Sequence, residues 1–267
     1  ARDVTNGFAR IDPILHAVYR RTAVLLYKTG ETRRRIPAKY QTQCFPCSEL
    51  GIEVRGAEAL PDRERREGPF RVLFAGRLLH WKGVHLGLEA FARFHEASPN
   101  SRFTLIGQGP EGARWRKMAR RLGIEDAVIW VPWIEREKVM EAYRRHDVLL
   151  FPSLHDSSGN VILEAFSCSL PVICLDLGGP AMLVDASCGI RVGARRVEEA
   201  IEGLTQALAR LAGDRELARR MGKAGFRRVR DEFSWAAKVA RMEGFYRRAV
   251  SKSNVPIEPN SSESRVL

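Results

Sequence analysis

The sequence predicts an α/β fold in which a parallel β-sheet carries helices on both faces. From Phe70 onward, short runs rich in β-branched and aromatic residues alternate with amphipathic helical patterns, and each connection is long enough for a right-handed crossover between parallel strands. Five successive strand ends carry glycine, proline or charge, which is where a sheet of this kind meets a ligand. At 267 residues and 45% hydrophobic content the chain can bury the core of one large domain plus flanking segments.

Residues 1–54 mix a helix around Pro13–Arg21 with short apolar pieces and read as the tail of a preceding domain. Residues 55–69, Arg-Gly-Ala-Glu-Ala-Leu-Pro-Asp-Arg-Glu-Arg-Arg-Glu-Gly-Pro, read as a charged hinge. The main domain is expected over 70–250. Its strands fall at Phe70–Ala75, Arg102–Ile106, Ala127–Val131, Val148–Phe151, Pro171–Leu175 and Gly189–Val192, and its first three helices at about Gly83–Ala97, Glu111–Leu122 and Glu135–Arg145. The first helix places Val84, Leu88, Phe91 and Ala92 on one face. Residues 251–267, rich in Ser, Asn, Pro and Glu, are expected to be a disordered tail. The chain opens at Ala1 in what reads as mid-domain, so a fragment is expected.

Five cysteines, an odd number scattered through the chain, suit a reducing compartment better than a disulfide framework. Cys44-Phe45-Pro46-Cys47 has redox-motif spacing but lacks the second pair a zinc site needs, and no metal or cofactor is expected. No stretch approaches the roughly 20 apolar residues of a spanning helix, and no secretory signal opens the chain, so a cytoplasmic location is expected. The formal charge of +12 admits nucleic acid, an anionic membrane or a phosphate-rich ligand. Residues 214–250 carry eleven Lys or Arg against five Asp or Glu, opposite an apolar stripe of Trp235, Val239, Met242 and Tyr246. This is either a solvated face or a peripheral contact with anionic lipid at the inner membrane face. No aromatic stacking face or recognition motif supports nucleic acid.

Candidate site residues follow the strands. Gly76-Arg77 and then Lys82-Gly83 follow the first, Gly107-Gln108-Gly109-Pro110 the second, Pro132-Trp133 the third, Pro152-Ser153 and Asp156-Ser157-Ser158-Gly159-Asn160 the fourth, and Asp176-Leu177-Gly178-Gly179 the fifth. Arg77 and Lys82 are placed to meet a pyrophosphate and to stabilise charge growing on a leaving diphosphate. Ser158, Gly159, Asn160 and Val161 enter a helix whose free N–H groups favour an anion, with glycine allowing close approach; capping by Ser157 or Ser158 is the plainer reading. Glu164 can accept two vicinal hydroxyls and Asp156 the hydroxyls of a second sugar, or Asp156 caps the helix and Glu164 pairs with a surface cation.

These motifs, with Leu163-Glu164-Ala165, Leu170-Pro171-Val172-Ile173 and the late Phe233-Ser234-Trp235, resemble the C-terminal domain of glycosyltransferase family 4 over roughly Phe70–Tyr246. The resemblance implies the GT-B architecture of two Rossmann-like domains, and retaining, metal-independent transfer of a sugar from a nucleotide sugar to a glycan or lipid-linked acceptor. It implies Arg77 and Lys82 on the diphosphate beside Gly76 and Gly107, Glu164 on the ribose, and Asp156 near the donor sugar, with Arg77, Lys82 and Asp156 catalytic. Backbone N–H groups of Ser158–Val161 would face sugar or phosphate, and Pro132-Trp133 would flank the base. Asp156 stands where the family has a glutamate, which moves that carboxylate back by one methylene, and Ser157-Ser158-Gly159-Asn160 departs from the common Gly-Phe-Gly. Residues 1–54 resemble only the end of the N-terminal domain, so little catalysis is expected of this chain by itself. A binding module that keeps the fold and has lost catalysis is the alternative.

Overall fold

The computed structural model describes residues 12–28, 30–54 and 68–253. They form two compact units: one takes the described residues up to Glu49 and those from Ala236 onward, the other Leu50–Trp235. Most of the expected hinge, and the tail beyond Ser253, lie outside the described residues.

In the smaller unit, α1 (Pro13–Arg21) begins where Asp12 accepts the N–H of Ile14 at 2.8 Å and of Leu15 at 3.3 Å, and Pro13 fills a first position that needs no N–H. β1 (Leu25–Tyr27) pairs in parallel with β2 (Cys44–Pro46), with α2 (Gly30–Arg35) and a 3-10 turn (Ala38–Gln43) between them. The end of the chain joins this unit. Lys238 donates to the Ser48 carbonyl, Arg241 donates to that of Pro46 at 2.7 Å, and the Phe45 and Phe245 rings lie 5.4 Å apart. Residues 236–250, expected inside the 70–250 domain, therefore pack with the first segment. In the other direction Leu50–Val54 join the larger unit, because Ile52 donates to Phe233 O at 2.9 Å and the ring of Trp235 occupies the space where a Cβ on Gly51 would sit. Ser251–Ser253, expected in the tail, continue the last helix.

The larger unit runs β3 (Phe70–Ala75), α3 (Val84–Ala97), β4 (Ser101–Ile106), α4 (Gly112–Arg121), β5 (Val128–Val131), α5 (Arg136–Arg145), β6 (Val148–Phe151), α6 (Asn160–Ser167), β7 (Val172–Leu175), α7 (Pro180–Leu183), β8 (Gly189–Val192), α8 (Val197–Gly213) and α9 (Arg215–Arg228). A π-helical turn, Val229–Phe233, leads to α10 (Trp235–Ser253). On α10, Trp235, Val239 and Tyr246 of the expected apolar stripe are each more than half exposed, while Met242 is half-buried with its sulfur 3.8 Å from that of Cys47.

Six parallel strands form one sheet in the order β5-β4-β3-β6-β7-β8. The central β6 and β7 are buried at every position and β3 at all but Arg71, while the edge strands β5 and β8 are partly open. Burial on both faces is why the central strands read as continuous apolar runs. On the sheet's faces, Thr205 of α8 donates to Ala90 O of α3 at 3.3 Å, and Gly225 of α9 leaves room for the Phe166 ring of α6. Each fully buried large side chain, such as Phe74, Phe103 or Phe166, contributes about 1.5–3 kcal/mol of transfer free energy.

Strand order reverses between β3 and β6. The ladder between these two runs over only Val72–Val148 and Leu73–Leu149, whereas β3 and β4 pair over six positions. The carboxyl ends of β3 and β6 thus border a crevice at the topological switch point, where open α/β sheets bind ligands.

Candidate functional site

Two turns are pressed together across that crevice. Gly83, which follows the 3-10 turn His80–Lys82, has φ 67° and ψ 15°, and a Cβ there would lie 1.9 Å from Pro152 O at the end of β6. Only glycine meets both demands. The Trp81 carbonyl accepts Leu154 N–H at 2.8 Å and the Ser153 hydroxyl at 3.1 Å, which locks the β3 turn to the β6 turn. On the other side of β3, a Cβ on Gly107 would sit 2.0 Å from Gly76 O, so the turns after β3 and β4 are in equally close contact.

This packing puts Lys82 beside Asp156. Lys82 Nζ lies 2.5 Å from Asp156 Oδ2 and 5.3 Å from the centre of the Phe151 ring, and the two side chains keep only 19% and 14% of their exposure. Buried Ser153 adds a hydrogen bond to the same carboxylate oxygen at 3.3 Å. The loop that carries Asp156 rests on Gly178 and Gly179 after β7, with Gly179 N–H donating to Asp156 O at 2.8 Å. In this arrangement the Asp156 carboxylate aims Lys82 and does not cap α6. Arg77, directly after β3, is exposed and forms no ion pair among the described residues.

Helix α6 enters from Gly159, and neither Ser157 nor Ser158 caps it. Its first-turn N–H groups therefore lack a side-chain acceptor, as an anion site requires. Gly159 is buried, and a Cβ there would meet Leu183 at 3.0 Å and Ile162 at 3.3 Å, so the missing side chain also serves packing against α7. Asn160 is exposed and Ser158 and Val161 are half-buried at this end of the helix.

One turn into α6, Glu164 accepts the hydroxyl of fully buried Tyr143 at 3.1 Å and lies 3.9 Å from Arg136, both residues of α5. Burial raises its pKa, and Tyr143 and Arg136 offset that only in part. A carboxylate of raised folded pKa costs stability above that pKa, and the cost is relieved as pH falls toward its unfolded value. Glu164→Gln, which keeps an acceptor for Tyr143, is therefore expected to raise Tm at pH 7, with the gain shrinking to nothing below about pH 4.3, the unperturbed Glu value; thermal unfolding from pH 4 to 8 checks this. Pro132 and Trp133 follow the edge strand β5, separated from β3 by β4, and both are exposed.

Gly76, Arg77, Lys82, Gly107, Asp156, Ser158–Val161 and Glu164 thus lie on the turns and the helix start that follow β3, β4 and β6. Ser153 hydrogen-bonds to Asp156, and Tyr143 and Arg136, which were not among the expected residues, hold Glu164. Ser153 stands in the Pro152-Ser153 strand-end pair, a signal of position, whereas nothing local marks Tyr143 or Arg136.

A family model described as glycosyl transferases group 1 matches residues 57–228. The chain belongs to this family. Members similar to it include the D-inositol 3-phosphate glycosyltransferase of Corynebacterium glutamicum, 30% identical over 79% of this chain and 52% of that protein. The glycogen synthase of Mycobacterium tuberculosis is 27% identical over 65% of this chain and 41% of that protein. The chain spans about half the length of the curated relatives it matches. Among solved structures, the sucrose-phosphate synthase of Thermosynechococcus elongatus superposes with a TM-score of 0.67 at 24% identity, covering 85% of this chain and 58% of that one. The pneumococcal O-GlcNAc transferase GtfA, in complex with UDP and GlcNAc, gives 0.67 at 17%, covering 87% and 47%. Both likenesses are of fold, and the parallel sheet with flanking helices is that of GT-B glycosyltransferases.

Proposed function

We propose that this chain carries the donor site of a retaining, metal-independent glycosyltransferase that moves a sugar from a nucleoside diphosphate to a glycan or lipid-linked acceptor. The observation that supports this most is the placement of Lys82 at the switch-point crevice, aimed by Asp156 and Ser153, with the uncapped start of α6 and the free guanidinium of Arg77 at the same strand ends. Lys82 and Arg77 would take the diphosphate oxygens and the charge that grows on them as the glycosidic bond breaks. Glu164, held by Tyr143, would accept the two ribose hydroxyls. Pro132 and Trp133 would flank the base only from the far side of β4. Charge neutralisation comes entirely from side chains and helix N–H groups in this reading, so binding should be indifferent to EDTA.

Incubation with UDP-glucose, GDP-mannose and ADP-glucose in EDTA, followed by NMR, tests both parts. Saturation transfer to one donor, with any released or transferred sugar keeping its anomeric configuration, is expected. Inverted product, or binding that requires a divalent cation, would contradict the mechanism. For the membrane, the support is α10, which exposes Val239 and Tyr246 beside Arg247. Co-sedimentation with vesicles rich in anionic lipid should fall in Val239→Asp/Tyr246→Asp; equal sedimentation of both proteins would remove that contact.

A further inference from the structure

We propose that a cavity between α3 and α4, outside the switch-point crevice, is a second anion site that takes a phosphate group carried on a small soluble molecule. The cavity measures about 380 Å³, within the usual range for small-ligand sites, and has Trp115 and Met118 among its walls. Arg114, Lys117 and Arg121 of α4 line it, facing His80 from the turn before α3 and His85 and Glu89 of α3. Three permanent cations thus meet one carboxylate.

The cations of α4 fall into two groups. Arg114 lies 3.5 Å from Glu111, Arg120 lies 3.7 Å from Glu125, and Arg116 sits 4.7 Å over the Trp130 ring. Lys117 and Arg121 form no ion pair among the described residues, although they stand four apart on one helix face, where like charges repel. The helix contains no carboxylate to relieve them. Opposite, the His80 and His85 rings stack 4.9 Å apart at 9°, and the buried Nδ1 of His85 has no hydrogen-bond partner. Burial, His80 and Arg114 together lower the pKa of His85, while Glu111 opposes them weakly. A site with unpaired cations and a half-buried His85 imidazole that resists protonation lacks a counter-charge; a phosphate supplies one and would draw a proton onto His85. The cluster is separate from the proposed donor contacts, because Lys82 is turned to Asp156.

The test follows the imidazole resonances by NMR while inorganic phosphate or glucose 6-phosphate is added, with His85→Gln for assignment. Saturable shifts at His80 and His85, with the His85 pKa rising, are expected in the wild type and in Lys82→Ala. Both substituted positions of Lys117→Ala/Arg121→Ala are exposed, so the fold should hold while affinity falls at least about tenfold. Absence of saturable shifts in the wild type, or shifts unchanged in the double variant, would overturn the proposal. Shifts abolished by Lys82→Ala would overturn it as well, by moving the phosphate into the crevice. Because Lys82→Ala removes the donor reading and leaves this one intact, the two stand or fall separately.

Discussion

Replacing Lys82 with alanine is expected to weaken nucleoside diphosphate binding roughly 10- to 100-fold, the equivalent of one hydrogen-bonded charge contact. The effect should exceed that of losing a surface lysine, because the Lys82 ammonium sits against the Phe151 ring with little exposure and is screened weakly by salt. The same change strands Asp156 with only Ser153 and the solvent for partners, so some loss of stability should accompany it. Asp156→Asn separates the two effects: it keeps the ammonium and removes the group that aims it, and should cost less binding than Lys82→Ala. Calorimetry on the folded variants checks the order. Equal affinity in wild type and Lys82→Ala would remove Lys82 from the site.

The second large effect is on the fold. Gly83→Ala should destabilise the protein by about 2–5 kcal/mol, combining a left-handed backbone penalty of about 1–2 kcal/mol with an overpacking cost of about 1–3 kcal/mol where the new Cβ meets Pro152 O. For a unit of this size that corresponds to a fall in Tm of roughly 5–15 °C. Because the collision is with backbone, relief would come by parting the turns after β3 and β6, and Lys82 would move off Asp156. Gly213→Ala, at the end of α8 with nothing within 4 Å of its Cβ, serves as the neutral control. A Gly83→Ala protein that melts with the wild type would show that the two turns are not locked.

The strands were legible because central parallel strands are buried on both faces, which leaves the uninterrupted apolar runs Val72–Ala75, Val148–Phe151 and Val172–Leu175 with glycine, proline or a polar residue next to them. Ends slipped by one residue where the flanks are ambiguous, as at Ser101 and Ala127. The residues at the strand ends were legible too, since a strand end is a local feature. What each side chain does there was not. Lys82 and Asp156 are 74 positions apart, and Tyr143 and Glu164 are 21 apart on different helices, so their pairing depends on the β5-β4-β3-β6 strand order rather than on any spacing. The packing of Gly159 was not legible either, because a glycine before a helix carries no sign of the Leu183 side chain beside it. Residues 236–250 read as part of the sheet domain because they continue its run of helices; only the placement of Lys238, Arg241 and Phe245 shows them bound to the first segment.

The most direct test of the central claim is calorimetric titration of the protein with UDP, GDP and ADP, and with the corresponding monophosphates, in EDTA. The account predicts that one diphosphate binds, that its monophosphate binds more weakly, and that Lys82→Ala and Glu164→Ala each remove most of the heat. Binding that is equal for mono- and diphosphate, or that survives both substitutions in folded protein, would contradict a donor site at the β3–β6 crevice.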